Sequence, residues 1–277
     1  MKRLMLRNLL MLACVFGVAQ AFAVPYVIQA QTVADSTNVR RVPLPANEVN
    51  RIVREFTAKE TVFRAALNNY AFKREAVVQT IGMGGQISGE YRRDSQFIFT
   101  NDNRRSERIT FFPAPTLTEI TVSNEDLEDL GGIQPFALES SKIAAYNFSY
   151  LGKEKIDDLD LYVFDVTPKV LPDPKKSKER FFQGRIWVDD KDLQIVKARG
   201  KGVPEGKQRF PIFETYREQI DGRYWFPTYT FADDTLVFDN GQAVRIRTRV
   251  RYTDYKKPRV TVEVLPDDGD EEPPTKP

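Results

Sequence analysis

Apolar residues first recur at spacings of three and four. Val49, Ile52, Val53, Phe56, Phe63, Ala66 and Leu67 make one stripe, with Glu48, Arg51, Arg54, Glu55, Lys59 and Glu60 on the other side. That period predicts an amphipathic helix from about Asn47 to Asn69, packed by its stripe onto a sheet. Asn47 is the expected N-cap.

From Tyr70 the period drops to two. Arg74–Ile81, Gln86–Arg93, Ser95–Thr100 and Glu107–Phe112 read as strands, with Gly82-Met83-Gly84-Gly85 as the first turn. Pro113–Ala145 breaks the alternation. Ser123-Asn124-Glu125-Asp126 resembles a helix start and Gly131-Gly132 a stop, so a short helical insertion is expected there. A second β block follows: Asn147–Glu154, Asp160–Pro168, Phe181–Asp189, Leu193–Arg199, Ile212–Ile220, Tyr224–Phe231, Leu236–Phe238 and Ala243–Tyr255. Asp221-Gly222 and Asn240-Gly241 between apolar runs are strong hairpin signals. Sequential hairpins predict an antiparallel meander.

The last of these strands alternates strictly. Val244, Ile246, Val250 and Tyr252 face one way, and Arg245, Arg247, Arg249 and Arg251 the other. A one-residue slip would carry four arginines into the apolar side, so its register is strongly specified. The arginine row reads either as a contact surface for anions or an acidic partner, or as a solvated face paired with carboxylates such as Glu214 and Glu218.

About nine to eleven twisted strands do not lie flat. The fold class expected is mainly β (α+β): a curved antiparallel sheet forming an open half-barrel, covered by the long N-terminal helix and the short insertion. An apolar concavity under such a cover suits a hydrophobic ligand. Its wall candidates are Phe97, Phe99, Ile109, Phe111, Phe164, Val166, Ile186, Val188, Val244, Ile246 and Val250.

Composition narrows the chemistry. The 277 residues include no histidine and a single cysteine, Cys14. A Ser-His-Asp triad and zinc sites built on Cys and His are therefore excluded. Lys2, Arg3 and Arg7 precede the apolar run Leu9–Ala19, and Ala21-Phe22-Ala23 offers a small-x-small cleavage site. Residues 1–23 thus read as a signal peptide, cleaved near Ala23, and the mature chain as periplasmic. Lipidation of Cys14 is the less favoured alternative. The 41 basic residues, less the three of the leader, leave 38 against 39 acidic ones. That balance gives no electrostatic case for nucleic acid. Residues 24–45 read as a linker, 46–265 as one domain, and 266–277 as a disordered acidic tail.

The acidic clusters Asp157-Asp158-Asp160, Asp189-Asp190-Asp192 and Asp233-Asp234 invite metal or acid–base readings. All three are expected at turns, where Asp supports local backbone bonds. None matches a calcium loop, and the Gly82–Gly85 run opens no helix and so is no phosphate cradle. No metal, cofactor or catalytic residue is predicted.

Gly184-Arg185-Ile186-Trp187-Val188-Asp189, followed by Leu193–Lys197, resembles the core hairpin of the LolA-like lipoprotein-sorting carrier superfamily. The stretch Glu214–Thr228 resembles the strand pair that follows it. The chain also resembles uncharacterised acidobacterial envelope proteins through Asn147–Glu154, Phe181–Lys197 and Phe213–Asp234. The superfamily resemblance implies a half-barrel, a helical lid and a cavity for lipid or lipoprotein acyl chains, without chemistry. The expected protein is a monomeric carrier or receptor. The alternative is a sensing or scaffolding module that docks a membrane protein's extracytoplasmic domain.

Overall fold

The computed structural model describes residues 38–100, 104–123, 126–127, 137–177, 179–207 and 209–257. The expected leader with Cys14, the Gly131-Gly132 stop and the acidic tail lie outside them.

Helix α1 spans Ala46–Leu67 and buries Ile52, Val53, Phe56, Phe63, Ala66 and Leu67, as its periodicity predicts. It starts one residue early. Pro45 is the N-cap, and its carbonyl accepts the Glu48 and Val49 N–H groups at 3.0 and 3.1 Å. Asn47 lies inside the first turn, because Pro45 already fixes an extended entry.

Ten strands form one antiparallel sheet: β1 (Ala71–Ile81), β2 (Ile87–Phe99), β3 (Arg105–Phe111), β4 (Tyr146–Ile156), β5 (Leu159–Pro168), β6 (Phe181–Asp189), β7 (Ile195–Val203), β8 (Phe213–Ile220), β9 (Tyr224–Val237) and β10 (Ala243–Lys256). Their order is β3-β2-β1-β10-β9-β8-β7-β6-β5-β4. Strands β4 to β10 are a meander, and the first three strands attach beside the last. The sheet does not close, so β3 and β4 are its edges. It is an open, mainly β half-barrel.

Three expectations change. Gln86–Arg93 and Ser95–Thr100 are not two strands, because β2 runs from Ile87 to Phe99. Tyr224–Phe231 and Leu236–Phe238 are not separate strands, because β9 runs through both. Asp233 and Asp234 therefore sit within a strand, not at a turn. Each carboxylate has a local donor that makes this tolerable. Asp233 accepts from Arg245 and Arg247 of β10, and Asp234 accepts the Ile212 N–H at 2.9 Å. The stretch read as a linker is also partly structured. Arg40 makes an antiparallel bridge to Lys153 of β4, with N–O distances of 2.8 and 2.9 Å.

The core lies between α1 and the concave sheet face, in two halves. Ile52, Val53 and Phe56 pack on Phe164, Val166, Phe182, Ile186, Val188, Ile195 and Phe213. Phe63, Ala66 and Leu67 pack on Phe72, Ala76, Val78, Tyr91, Phe226, Val250 and Tyr252. Each Val, Leu, Ile or Phe among them contributes about 1.5–3 kcal/mol through burial. Between the halves, Glu60 of α1 accepts from Arg217 of β8. Glu60 was expected on the polar side of the helix. It lies four residues after Phe56 and three before Phe63, so the period itself puts it on the buried stripe.

The described residues of the insertion between β3 and β4 are mostly irregular. Its expected helix start is present as a reciprocal cap. The Ser123 hydroxyl accepts the Asp126 N–H at 3.1 Å, and Asp126 accepts the Ser123 N–H at 2.8 Å. Ser140–Ala145 forms a short 3-10 helix leading into β4.

Candidate ligand cavity

The concave face is not hollow under α1. The gap among Glu60, Phe182, Ile186, Ile195, Phe213 and Arg217 is about 20 Å³. That is room for about one water molecule. Rings explain the filling: Phe56 lies 5.6 Å from Phe148 and 5.7 Å from Phe164, and Tyr150 lies 5.4 Å from Phe164.

Space remains further along the same face. A cavity of about 330 Å³ lies over β1, β10 and β9. Its floor is Val78, Leu236, Ile246 and Thr248, alternate positions that the pleat turns to one side. Its roof is the segment Thr118–Val122 with Asp126, and the β7–β8 connection with Phe210 and Pro211 closes one flank together with Phe238. The volume falls at the low end of the ~300–1,000 Å³ typical of ligand sites.

Both coverings are tied down. At one end of the roof, Thr116 donates its N–H to the Glu90 carbonyl and its hydroxyl accepts the Glu90 N–H, each at 2.9 Å. At the other end, Leu127 is wholly buried in the second core half. Ile120 and Val122 turn apolar side chains to the sheet between these anchors. The flank is held by Arg209, which donates to the carbonyls of Val237 and Gly206 at 2.8 and 2.9 Å and pairs with Asp239. Charges at the cavity are mixed: Glu119 and Asp126 against Lys207 and Arg209.

The predicted wall residues are dispersed. Val244 and Ile246 join Leu236 in one apolar cluster, and Ile246 lines the cavity. Phe164, Val166, Ile186 and Val188 are fully buried against α1, around Phe56 rather than around the 330 Å³ cavity. Val250 lies in the second core half. Phe97 stacks on Phe72 at 4.5 Å, with the Arg74 guanidinium 4.9 Å from its ring. Phe99 is half-buried near the end of β2. Ile109 and Phe111 are 47% and 50% exposed on edge strand β3, so they wall no enclosed space. An edge strand has no neighbour on its outer side to shelter them.

The residues missed were on connections. Ile120 and Val122 lie in a Thr-rich stretch that the helical reading of 113–145 obscured. Their apolar–polar alternation was the available signal.

The arginine row faces away from α1, as its register predicts, and divides in two. Arg245 and Arg247 share Asp233, at 3.1 and 3.0 Å. Burial alone would push the Asp233 carboxyl up, but the two guanidiniums outweigh it and hold it below the ordinary carboxylate range. Arg249 and Arg251 are exposed and make no ion pair among the described residues. Glu214, expected as a partner of this row, instead meets Lys197 and Arg199 of β7, its neighbouring strand.

Other acids serve turns. Asp189 accepts the N–H groups of Lys191 and Asp192 at 3.1 and 3.0 Å, and burial pushes its carboxyl up. Asp192 in turn accepts from the Trp225 indole at 2.8 Å. Among the described residues, no group of three or more acidic, Cys or His side chains is arranged to hold a metal. No described helix is long and apolar enough to cross a membrane.

No family model matches the chain, and no curated protein does. Solved structures do align with it. A LolA superfamily protein from Nitrosomonas europaea shares 16% identity at a TM-score of 0.33, covering 79% of this chain and 96% of that one. A DUF1329 family protein from Desulfovibrio piger gives the same identity and TM-score over 73% and 93%. A domain described as a candidate outer membrane lipoprotein-sorting protein, from Vibrio parahaemolyticus, shares 12% identity at 0.33 over 76% and 95%. The chain thus resembles LolA-like structures, and its function has to be read from its own geometry.

Proposed function

We propose that this protein is an exported, periplasmic, non-enzymatic carrier or receptor that buries a single aliphatic chain of a lipid or acylated protein between its sheet and the Thr118–Val122 roof. One observation supports this reading above others: the concave face is filled under α1 yet leaves about 330 Å³ beside Val78, Leu236 and Ile246. Each methylene taken from water into such a space contributes about 0.8 kcal/mol. No bond need be made or broken. The cavity lies at the low end of the ~300–1,000 Å³ typical of ligand sites. That capacity suits one medium chain, or one end of a longer chain, rather than several chains together.

The test is displacement of a fluorescent fatty-acid probe from the mature protein, with mass spectrometry of solvent extracts of protein purified from cell envelopes. Saturable displacement is expected, and Ile246→Trp should weaken it by filling the floor. Ligand-free extracts together with no probe binding overturn the reading.

A second reading rests on the other face. The exposed pair Arg249 and Arg251 suits an acidic surface of an envelope protein. Crosslinking in the envelope checks it. A stoichiometric partner retained after Arg249→Glu and Arg251→Glu removes this surface from consideration.

A further inference from the structure

The floor of the cavity carries one polar atom without a partner. Thr248 is among the residues around the cavity but is wholly buried, and its hydroxyl makes no hydrogen bond, so an oxygen reaches it only when the floor side chains beside it give way. Among the described residues five threonines are buried: Thr57, Thr80, Thr215, Thr230 and Thr248. The other four are satisfied. Thr57 donates to the Val53 carbonyl at 2.8 Å, Thr80 accepts from Ser88 at 2.9 Å, and Thr215 and Thr230 bond each other at 2.8 Å. Thr248 has no such neighbour because of register. Its cross-strand positions are Val78 on β1 and Ala232 on β9. A valine of nearly the same shape would fit a purely apolar floor at no desolvation cost, whereas an unpaired buried hydroxyl costs about 1–3 kcal/mol.

We propose that the chain bound here carries an oxygen part-way along it, a hydroxyl or a carbonyl, which bonds the Thr248 hydroxyl. Thr248 both donates and accepts, so either group fits. The remaining floor, Val78, Leu236 and Ile246, takes the methylenes on either side. A site built to bond an oxygen discriminates against the analogue lacking it, since the protein group is then left dry and unpaired. This inference rests on the carrier reading and narrows its ligand from any medium aliphatic chain to an oxygenated one.

The experiment is competition against the fluorescent probe by decanoic acid and by its isomers hydroxylated at successive carbons. At least one isomer is expected to bind about five-fold more tightly than the parent acid, the size of one hydrogen bond. In Thr248→Val the ratio of that isomer to the parent should fall to one. In Thr248→Ser, which keeps the hydroxyl, the ratio should persist. Near-UV circular dichroism establishes that each variant is folded, and the wild-type ratio stands without either variant. If decanoate binds and no isomer exceeds it two-fold, the inference fails and the carrier reading stands. If neither decanoate nor any isomer displaces the bound probe, the inference fails; if the probe does not bind at all and extracts carry no lipid, the carrier reading fails with it.

Discussion

Arg217 of β8 grips Glu60 of α1 through two guanidinium–carboxylate bonds of 2.5 and 3.2 Å, with side chains only 6% and 2% exposed. The Arg217 guanidinium also lies 4.3 Å from the Phe63 ring. The cover helix is thus pinned to the sheet by a charge pair sealed between two apolar layers. Taking two ions out of water is costly, and removing one strands the other. Glu60→Ala should therefore lower stability by about 3–5 kcal/mol, read by urea unfolding. The double variant Glu60→Leu/Arg217→Met should recover most of that loss. Equal destabilisation of single and double variants contradicts this account.

Acid should weaken the sheet at β1–β3. Burial pushes the Glu107 carboxyl up, but bonds from Ser95 and Arg93 and the charge of Arg74 prevail and leave it below 4.5. The unfolded chain then takes up this proton first. The contribution is complete above about pH 4.5 and is lost as pH falls through the lower folded value. Glu107→Gln should be less stable at pH 7 and show a shallower fall of urea midpoint between about pH 5 and pH 3. Parallel curves for the two proteins rule this out.

Gly184 faces Gly200 across β6 and β7. A Cβ at Gly184 would lie 2.1 Å from the Arg199 carbonyl oxygen and 2.5 Å from the Gly200 Cα. Backbone, not a yielding side chain, must move. Gly184→Ala should cost about 1–3 kcal/mol and lower the melting temperature. An unchanged melting curve is the contrary outcome.

Asp233 joins Arg245 and Arg247 on an open face, so solvent screens the attraction. Asp233→Asn should change stability by under about 1 kcal/mol, with the difference shrinking in high salt. A larger, salt-independent loss measured by urea unfolding would point to a structural role for this carboxylate within β9.

What was legible follows from period. The α1 stripe, the turns at Gly82–Gly85, Asp221-Gly222 and Asn240-Gly241, and the register of β10 are local patterns. The attachment of β1 to β10 is not, because strand order is decided by which apolar faces meet across the folded chain. Residue type misled where period did not. Glu60 looks solvent-facing until Arg217 supplies its counter-charge, and Asp233 looks like a turn residue until two arginines flank it. The cavity was least legible. Its floor comes from strands, but Phe210, Phe238 and Ile120 come from connections, and only packing shows whether an inward Val188 meets Phe56 or empty space.

The bridge at Arg40 has a consequence for association. A Cβ at Gly152 would lie 2.2 Å from the Arg40 carbonyl oxygen, so glycine there admits the passing strand against β4. One rim of the half-barrel is thereby obstructed at Lys153, while on the other, β3, Ile109 and Phe111 lie half in water. Edge-to-edge pairing of two copies through β4 would first have to displace the Arg40 backbone from Lys153, whereas pairing through β3 would displace no such bridge among the described residues.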